Sequence, residues 1–166
     1  MKKVLVIGCP GSGKSTFSRE LQRITALPLC HLDQLCWNAD RTTVSNAVFL
    51  QRLHEVLGQE RWIIDGNYSK TLELRLRRCD TVFFLDYPTD VCLSGVASRI
   101  GKPRPDLPWT ETQMDSELVE VVRNYPARER LAVMALLEQY ADEKTVFTFQ
   151  TREAATGFLQ SLDSVT

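Results

Sequence analysis

Lys3-Val4-Leu5-Val6-Ile7-Gly8-Cys9-Pro10-Gly11-Ser12-Gly13-Lys14-Ser15-Thr16 begins with a short apolar run, Val4 to Ile7, suited to a strand buried on both faces. Gly8 through Ser15 then match G-x-x-x-x-G-K-[ST], the phosphate-binding loop. Its glycines let the backbone turn tightly and aim N–H groups at a polyphosphate. Lys14 is placed to reach the β- and γ-phosphates, and the Ser15 hydroxyl to ligate Mg²⁺. Thr16 onward opens a helix whose N-terminal dipole also favours an anion. The motif follows a strand and precedes a helix, as its mechanism requires. Gly8, Pro10, Gly11, Ser12, Gly13, Lys14, Ser15 and Thr16 are therefore expected to form a nucleotide-binding loop.

The 166 residues suit one domain over 1–166, with 43% hydrophobic content ordinary for a globular protein. A net charge of -1 gives no general electrostatic case for nucleic acid or an anionic membrane. The five cysteines (Cys9, Cys30, Cys36, Cys79, Cys92) form no C-x-x-C pair and no zinc spacing, which fits a reducing cytoplasm. Cys9 lies inside the phosphate loop, as a spacer or as a thiol of lowered pKa. The apolar run after Met1-Lys2-Lys3 is too short for a signal peptide, and no stretch reaches membrane-spanning length. A soluble, cytoplasmic protein is expected.

Phe17, Leu21 and Ile24 form the apolar stripe of a helix from Thr16 to about Thr25. Leu29-Cys30-His31-Leu32 reads as a second short strand ending at Asp33. Strand ends leading into loops are where parallel α/β sheets place ligands, so Asp33 is a candidate contact or base for a phosphoryl acceptor. Strand alternation points His31 to the opposite face, as a structural residue. Trp37 and Arg41 in the polar loop that follows suit a planar or anionic substrate; a satellite apolar cluster explains Trp37 equally well. A helix capped by Thr42 or Thr43 comes next. The third strand, Trp62-Ile63-Ile64, ends at Asp65-Gly66-Asn67-Tyr68. A carboxylate there suits Mg²⁺ held through water, and Gly66 permits close approach of a substrate. A helix over about Ser69 to Arg78 turns Leu72 and Leu76 inward; most of its charge reads as a solvated face, with one arginine near Tyr68 expected to reach the acceptor.

The fourth strand is Thr81 to Leu85, followed by a helix from Val91 to about Ile100. Three prolines between Arg99 and Trp109 exclude a regular helix or central strand there. Basic residues in this span fit a mobile lid that carries arginine over the transferring phosphate, with an ordinary surface connection as the rival. The lid-like insertion is expected over about 101–125. Thr112 to about Gln139 reads as a long helical region, interrupted or kinked at Pro126. Thr145 to Phe149 is the fifth strand, and Glu153 to Leu162 a closing helix. The order β-α-β-α-β-α-β-α-β-α gives a three-layer α/β fold with a parallel sheet.

Taken together, the chain resembles the adenylate kinase-like (nucleoside monophosphate kinase) branch of the P-loop kinases. The residues that carry the resemblance are Gly8-x-Pro10-Gly11-x-Gly13-Lys14 and the Asp65-Gly66-Asn67-Tyr68 turn, matching Asp-Gly-Phe-Pro in that branch, with Val82 to Pro88 as the strand before the lid. It is most similar to small bacterial proteins labelled DNA topology modulation proteins or putative adenylate kinases. His31-Leu32-Asp33 before Trp37, the run Trp62 to Tyr68 and the Arg99 to Pro105 segment carry that likeness. The resemblance implies a P-loop NTPase fold with strand order 2-3-1-4-5, and ATP and Mg²⁺ as cofactors. It also implies Asp65 as the acidic metal partner, and lid-type roles for Arg99 and for Arg123 or Arg128. Asn67-Tyr68 replaces the Phe-Pro-Arg of adenylate kinases, and the short lid lacks a zinc cluster, so the acceptor stays open.

The expected activity is transfer of the γ-phosphoryl of ATP to a small acceptor, a nucleotide or nucleoside among the candidates. Lys14, Asp33, Arg99, Arg123 and Arg128 are the candidate catalytic residues. Asp33, Trp37, Arg41, Gly66, Asn67 and Tyr68 are candidates for the acceptor, and Ser15 and Asp65 for Mg²⁺. The competing readings are an ATPase or ATP-dependent switch with no acceptor, and a DNA-associated factor, which the scattered basic residues disfavour.

Overall fold

A computed structural model describes residues 1–164. Five parallel strands, β1 (Lys3–Gly8), β2 (Leu29–His31), β3 (Trp62–Asp65), β4 (Thr81–Leu85) and β5 (Thr145–Phe149), form one sheet in the order β2-β3-β1-β4-β5. This is the 2-3-1-4-5 order implied by the resemblance. The helices are α1 (Lys14–Thr25), α2 (Leu32–Cys36), α3 (Asn46–Leu57), α4 (Leu72–Leu76), α5 (Thr89–Ala97), α6 (Ser116–Asn124), α7 (Glu129–Gln139) and α8 (Arg152–Asp163).

Alternation along the strands divides the core. Val4, Val6, Ile63 and Phe83 face one side, where Phe17 and Leu21 of α1, Val96 of α5, Val122 of α6 and Leu159 of α8 cover them. Leu5, Ile7, Ile64 and Phe84 face the other, under Leu53 of α3, Leu76 of α4 and Leu137 of α7. Because both faces are covered, Val4, Leu5, Val6, Ile63 and Ile64 lose all solvent contact. Each fully buried aliphatic side chain contributes roughly 1.5–3 kcal/mol of transfer free energy.

Several boundaries differ from the sequence reading. Asp33 lies in the short helix α2, and the following loop is a small hairpin in which Trp37 bridges Thr43. The cap of α3 is Ser45, whose hydroxyl accepts from Val48 N–H, in place of Thr42 or Thr43. The helical region before Gln139 starts at Ser116 and not at Thr112, and it is interrupted at Pro126 as expected, by a 3₁₀ turn over Tyr125–Ala127. Residues 98–115 contain neither helix nor strand and form a strap that ends where α6 begins. Among the described residues, no helix is long and apolar enough to cross a membrane.

Candidate active site

β1 is central, flanked by β3 and β4, and the connections run to opposite sides of it. The crevice at the carboxyl end of such a strand is where open α/β sheets bind ligands. There the chain turns at Gly8 and enters the phosphate loop, with Gly11 at φ 83° and Gly13 at φ 91°. Gly13 caps α1 and leaves the space of a Cβ open, as a cradle for an anion requires. Gly11 is constrained for another reason. A Cβ on it would strike the Cys92 carbonyl, and one on Gly95 would strike the Gly11 carbonyl. The loop therefore lies directly on the backbone of α5, and a glycine inside that helix is the signal.

Lys14 Nζ donates to the carbonyls of Gly8 and Cys9, both at 3.0 Å, which holds the ammonium at the loop. Burial pulls its pKa down, and the nearby Asp65 charge opposes that shift. Asn67 Oδ1 accepts from Gly8 N–H at 3.1 Å, so the turn after β3 pins the start of the loop. The Cys9 thiol is pushed up by its hydrogen bond to Cys92 and by burial, which favours the spacer over the alternative of a thiol of lowered pKa.

One cleft of about 880 Å³ brings together Pro10, Gly11, Gly13, Lys14, Ser15 and Thr16 with Asp33, Trp37, Arg41, Asp65, Gly66, Asn67, Tyr68 and Arg99. Gly8 and Ser12 do not reach its surface. Ser12 is buried, and its hydroxyl has no hydrogen-bond partner among the described residues. Arg123 and Arg128 are corrected as lid candidates. Arg123 is exposed and pairs with Glu120 at 2.9 Å, while Arg128 lines a separate hollow beside α6. Facing outward from the helix and turn that follow the strap, neither lines the cleft.

The facing of His31 is corrected, while its buried position away from the cleft lining agrees with a structural residue. β2 and β3 pair with His31 opposite Asp65, so the two side chains project on one face. His31 Nδ1 donates to Asp65 Oδ2 at 2.7 Å, both groups being buried. Tyr68 donates its hydroxyl to Asp33 Oδ1 at 2.7 Å and stacks on Phe49. Burial raises the Asp33 pKa, while the Tyr68 hydrogen bond and Lys14 counteract it. Gly66 lines the cleft, but Leu32 fills the space of its Cβ, so packing explains this glycine without a substrate.

The arginine expected to reach the acceptor from the helix after Tyr68 does something else. Arg75 is fully buried and donates to the carbonyls of Gly66 (3.0 Å), Asn67 (2.6 Å), Tyr68 (3.1 Å) and Thr71 (3.3 Å). Burial lowers its pKa to about 10, which leaves it charged at neutral pH. It is a keystone for the turn that carries Asn67 and Tyr68. Arg75→Met should strip those carbonyls of their donor and cost about 2–3 kcal/mol, read as a melting temperature lower by roughly 5–10 °C.

Among the residues that border the cleft, the sequence reading did not single out Asp106, Trp109 or Arg152, and took Arg104 only as part of a basic stretch. Arg152 follows the carboxyl end of β5 and donates to the Gly11 carbonyl, a position that the strand-end rule flags. Asp106 and Trp109 of the strap carry no such signal, whereas Arg104 belongs to the basic stretch that reads as a lid. Asp106 accepts from Ser15 Oγ at 2.9 Å and pairs with Arg104. Burial opposes its ionisation, yet Arg104 and Ser15 outweigh that and hold its pKa at about 2. Trp109 meets Trp37 edge-on at 5.3 Å, and the Arg41 guanidinium lies 5.8 Å from the Trp109 ring centre. Arg99 is largely buried, and its Nη2 lacks a partner among the described residues.

The donors around Ser15 are a hydroxyl and carboxylates, a hard oxygen set that fits Mg²⁺. Among the described residues, no three His, Cys, Asp or Glu side chains cluster tightly enough to chelate an ion.

No protein-family model matches the chain, and no curated protein matches it in sequence. Solved structures do match. Shikimate kinase from Bacteroides thetaiotaomicron, at 1.7 Å resolution, is 20% identical with a TM-score of 0.56, over 98% of this chain and 96% of that one. Shikimate kinase from Acinetobacter baumannii, in complex with shikimate, is 16% identical with a TM-score of 0.63, over 100% of this chain and 95% of that one. The chain shares with these shikimate kinases the P-loop kinase fold, a five-stranded parallel sheet in the order 2-3-1-4-5 with helices on both faces.

Proposed function

We propose that this protein is an ATP-dependent phosphotransferase that moves the γ-phosphoryl group to a hydroxyl of a small acceptor bound in the cleft. The observation that carries this reading is the meeting, in one cleft, of Lys14 and Ser15 with the half-buried carboxylate of Asp33 and an Arg99 guanidinium nitrogen that has no partner among the described residues. The loop amides and Lys14 bind the polyphosphate, with the α1 N-terminus adding its dipole. Asp33, oriented by Tyr68, takes the proton as the acceptor oxygen attacks the γ-phosphorus and the bond to the β-phosphate oxygen breaks. Arg99 offsets charge on the transferring group. Mg²⁺, when bound, would neutralise charge on the nucleotide's phosphates, and Ser15, with Asp65 through water, would hold it.

The fold shared with a kinase solved with shikimate supports a small hydroxyl-bearing acceptor as well as a nucleoside or nucleotide. Arg41 and Trp37 favour one with an anionic or planar group. The five unpaired cysteines support a cytoplasmic setting. Thermal-shift measurement with ATP analogues, nucleosides, nucleoside monophosphates and shikimate provides the test. A ligand at a hundred times its Kd should add about 2.7 kcal/mol, or roughly 5–10 °C in melting temperature. No shift with any adenine nucleotide would overturn the reading.

A further inference from the structure

We propose that Asp106, carried on the strap, is a positioning residue that sets the Ser15 hydroxyl for the metal of a bound nucleotide. The inference rests on the nucleotide reading above. Ser15 Oγ donates to Asp106 Oδ2 at 2.9 Å. A hydroxyl has one hydrogen and two lone pairs, so committing the hydrogen to a carboxylate leaves the lone pairs for a cation and enriches the oxygen. Asp65, the acid beside the loop, is bonded to His31 instead.

Asp106 is built to stay in place. It is only 3% exposed, on a strap that is otherwise largely open to solvent. Arg104 grips both of its oxygens, Nε on Oδ1 at 3.1 Å and Nη2 on Oδ2, while Nη1 reaches Glu111 at 2.9 Å. A carboxylate gripped at both oxygens is a poor direct ligand and a good fixed acceptor. The strap is seated by further contacts on the acceptor side: Gln34 Nε2 donates to the Pro105 carbonyl at 2.7 Å, and Trp109 packs on Trp37. Seating of the strap and orientation of Ser15 are thus one event. A metal ligand near the start of the chain is set by a residue 91 positions later.

The test is Mn²⁺ binding to the ADP-saturated full-length protein, read by electron paramagnetic resonance, with metal-free ADP binding measured in EDTA. Asp106→Ala should weaken Mn²⁺ by about 10–100-fold and leave metal-free ADP binding unchanged. Asp106→Asn, whose amide oxygen still accepts, should recover part of that loss. Mn²⁺ affinity within about twofold of the parent in Asp106→Ala overturns the proposal, as does tighter Mn²⁺ binding, which would make the carboxylate an obstacle. Equal loss of metal-free ADP binding marks a purely structural role and also overturns it. If Asp106→Ala does not fold, Asp106→Asn decides, with at least about threefold weakening required. A parent protein that binds no ADP even in EDTA overturns the nucleotide reading itself, and this inference with it.

Discussion

Lys14→Ala should reduce phosphoryl transfer by about 10²–10³-fold, the cost of removing one preorganised charge from a transferring group. The side chain stands on the first turn of α1, where its ammonium bonds the carbonyls of Gly8 and Cys9 at the edge of the cleft. Those carbonyls become accessible to water once the side chain is gone, so the fold should be retained. Steady-state transfer rates beside a circular dichroism melt check both halves of this expectation. A variant that transfers phosphate at the parent rate would contradict the placement of the donor.

Asp33→Asn is expected to lower kcat by about 10²–10⁴-fold, the range for losing a general base. Its diagnostic is the pH profile. Burial raises the Asp33 pKa, and a base works only when ionised. Activity should therefore be full above that raised value and fall as pH drops through it, with an acid limb above the ordinary carboxylate range. Tyr68 donates to Asp33 and favours its ionised form. Tyr68→Phe should therefore move the acid limb to higher pH while keeping much of the maximal rate. An acid limb that survives unchanged in Asp33→Asn would assign the base elsewhere.

These expectations draw on two kinds of residue, which differ in how far sequence reveals them. Val4 to Ile7, Trp62 to Asp65 and Thr81 to Leu85 are legible because strands buried on both faces need uninterrupted apolar side chains. The phosphate loop is legible because backbone geometry demands its glycines. Asp33, Asp65 and Asn67 follow from a rule of topology, that ligands gather where strands end. The strand order itself rested on resemblance, since hydrophobic pattern does not encode which strands are neighbours.

Contacts made by the strap had no comparable signal. Asp106 reaches Ser15 across 91 positions, and nothing in Arg104-Pro105-Asp106 announces that. The facing given to His31 failed because positions 31 and 33 are two apart and share a face of an extended strand, and the parallel register with β3 sets Asp65 beside His31. Arg123 and Arg128 were drawn in by the resemblance, and α6 turns its polar side to solvent. Arg75 shows the converse error. In a run of charge that reads as a solvated face, one arginine is wholly buried because three consecutive carbonyls turn inward to meet it.

The most direct test of the central claim is the fate of the γ-phosphoryl group, followed with ³²P-labelled ATP and Mg²⁺ against nucleosides, nucleoside monophosphates, shikimate and other small hydroxyl metabolites. The account predicts label in one acceptor, ADP formation that rises with that acceptor's concentration, and loss of both in Lys14→Ala. Label that appears only as inorganic phosphate, at a rate indifferent to every acceptor, would contradict it and make the protein an ATPase.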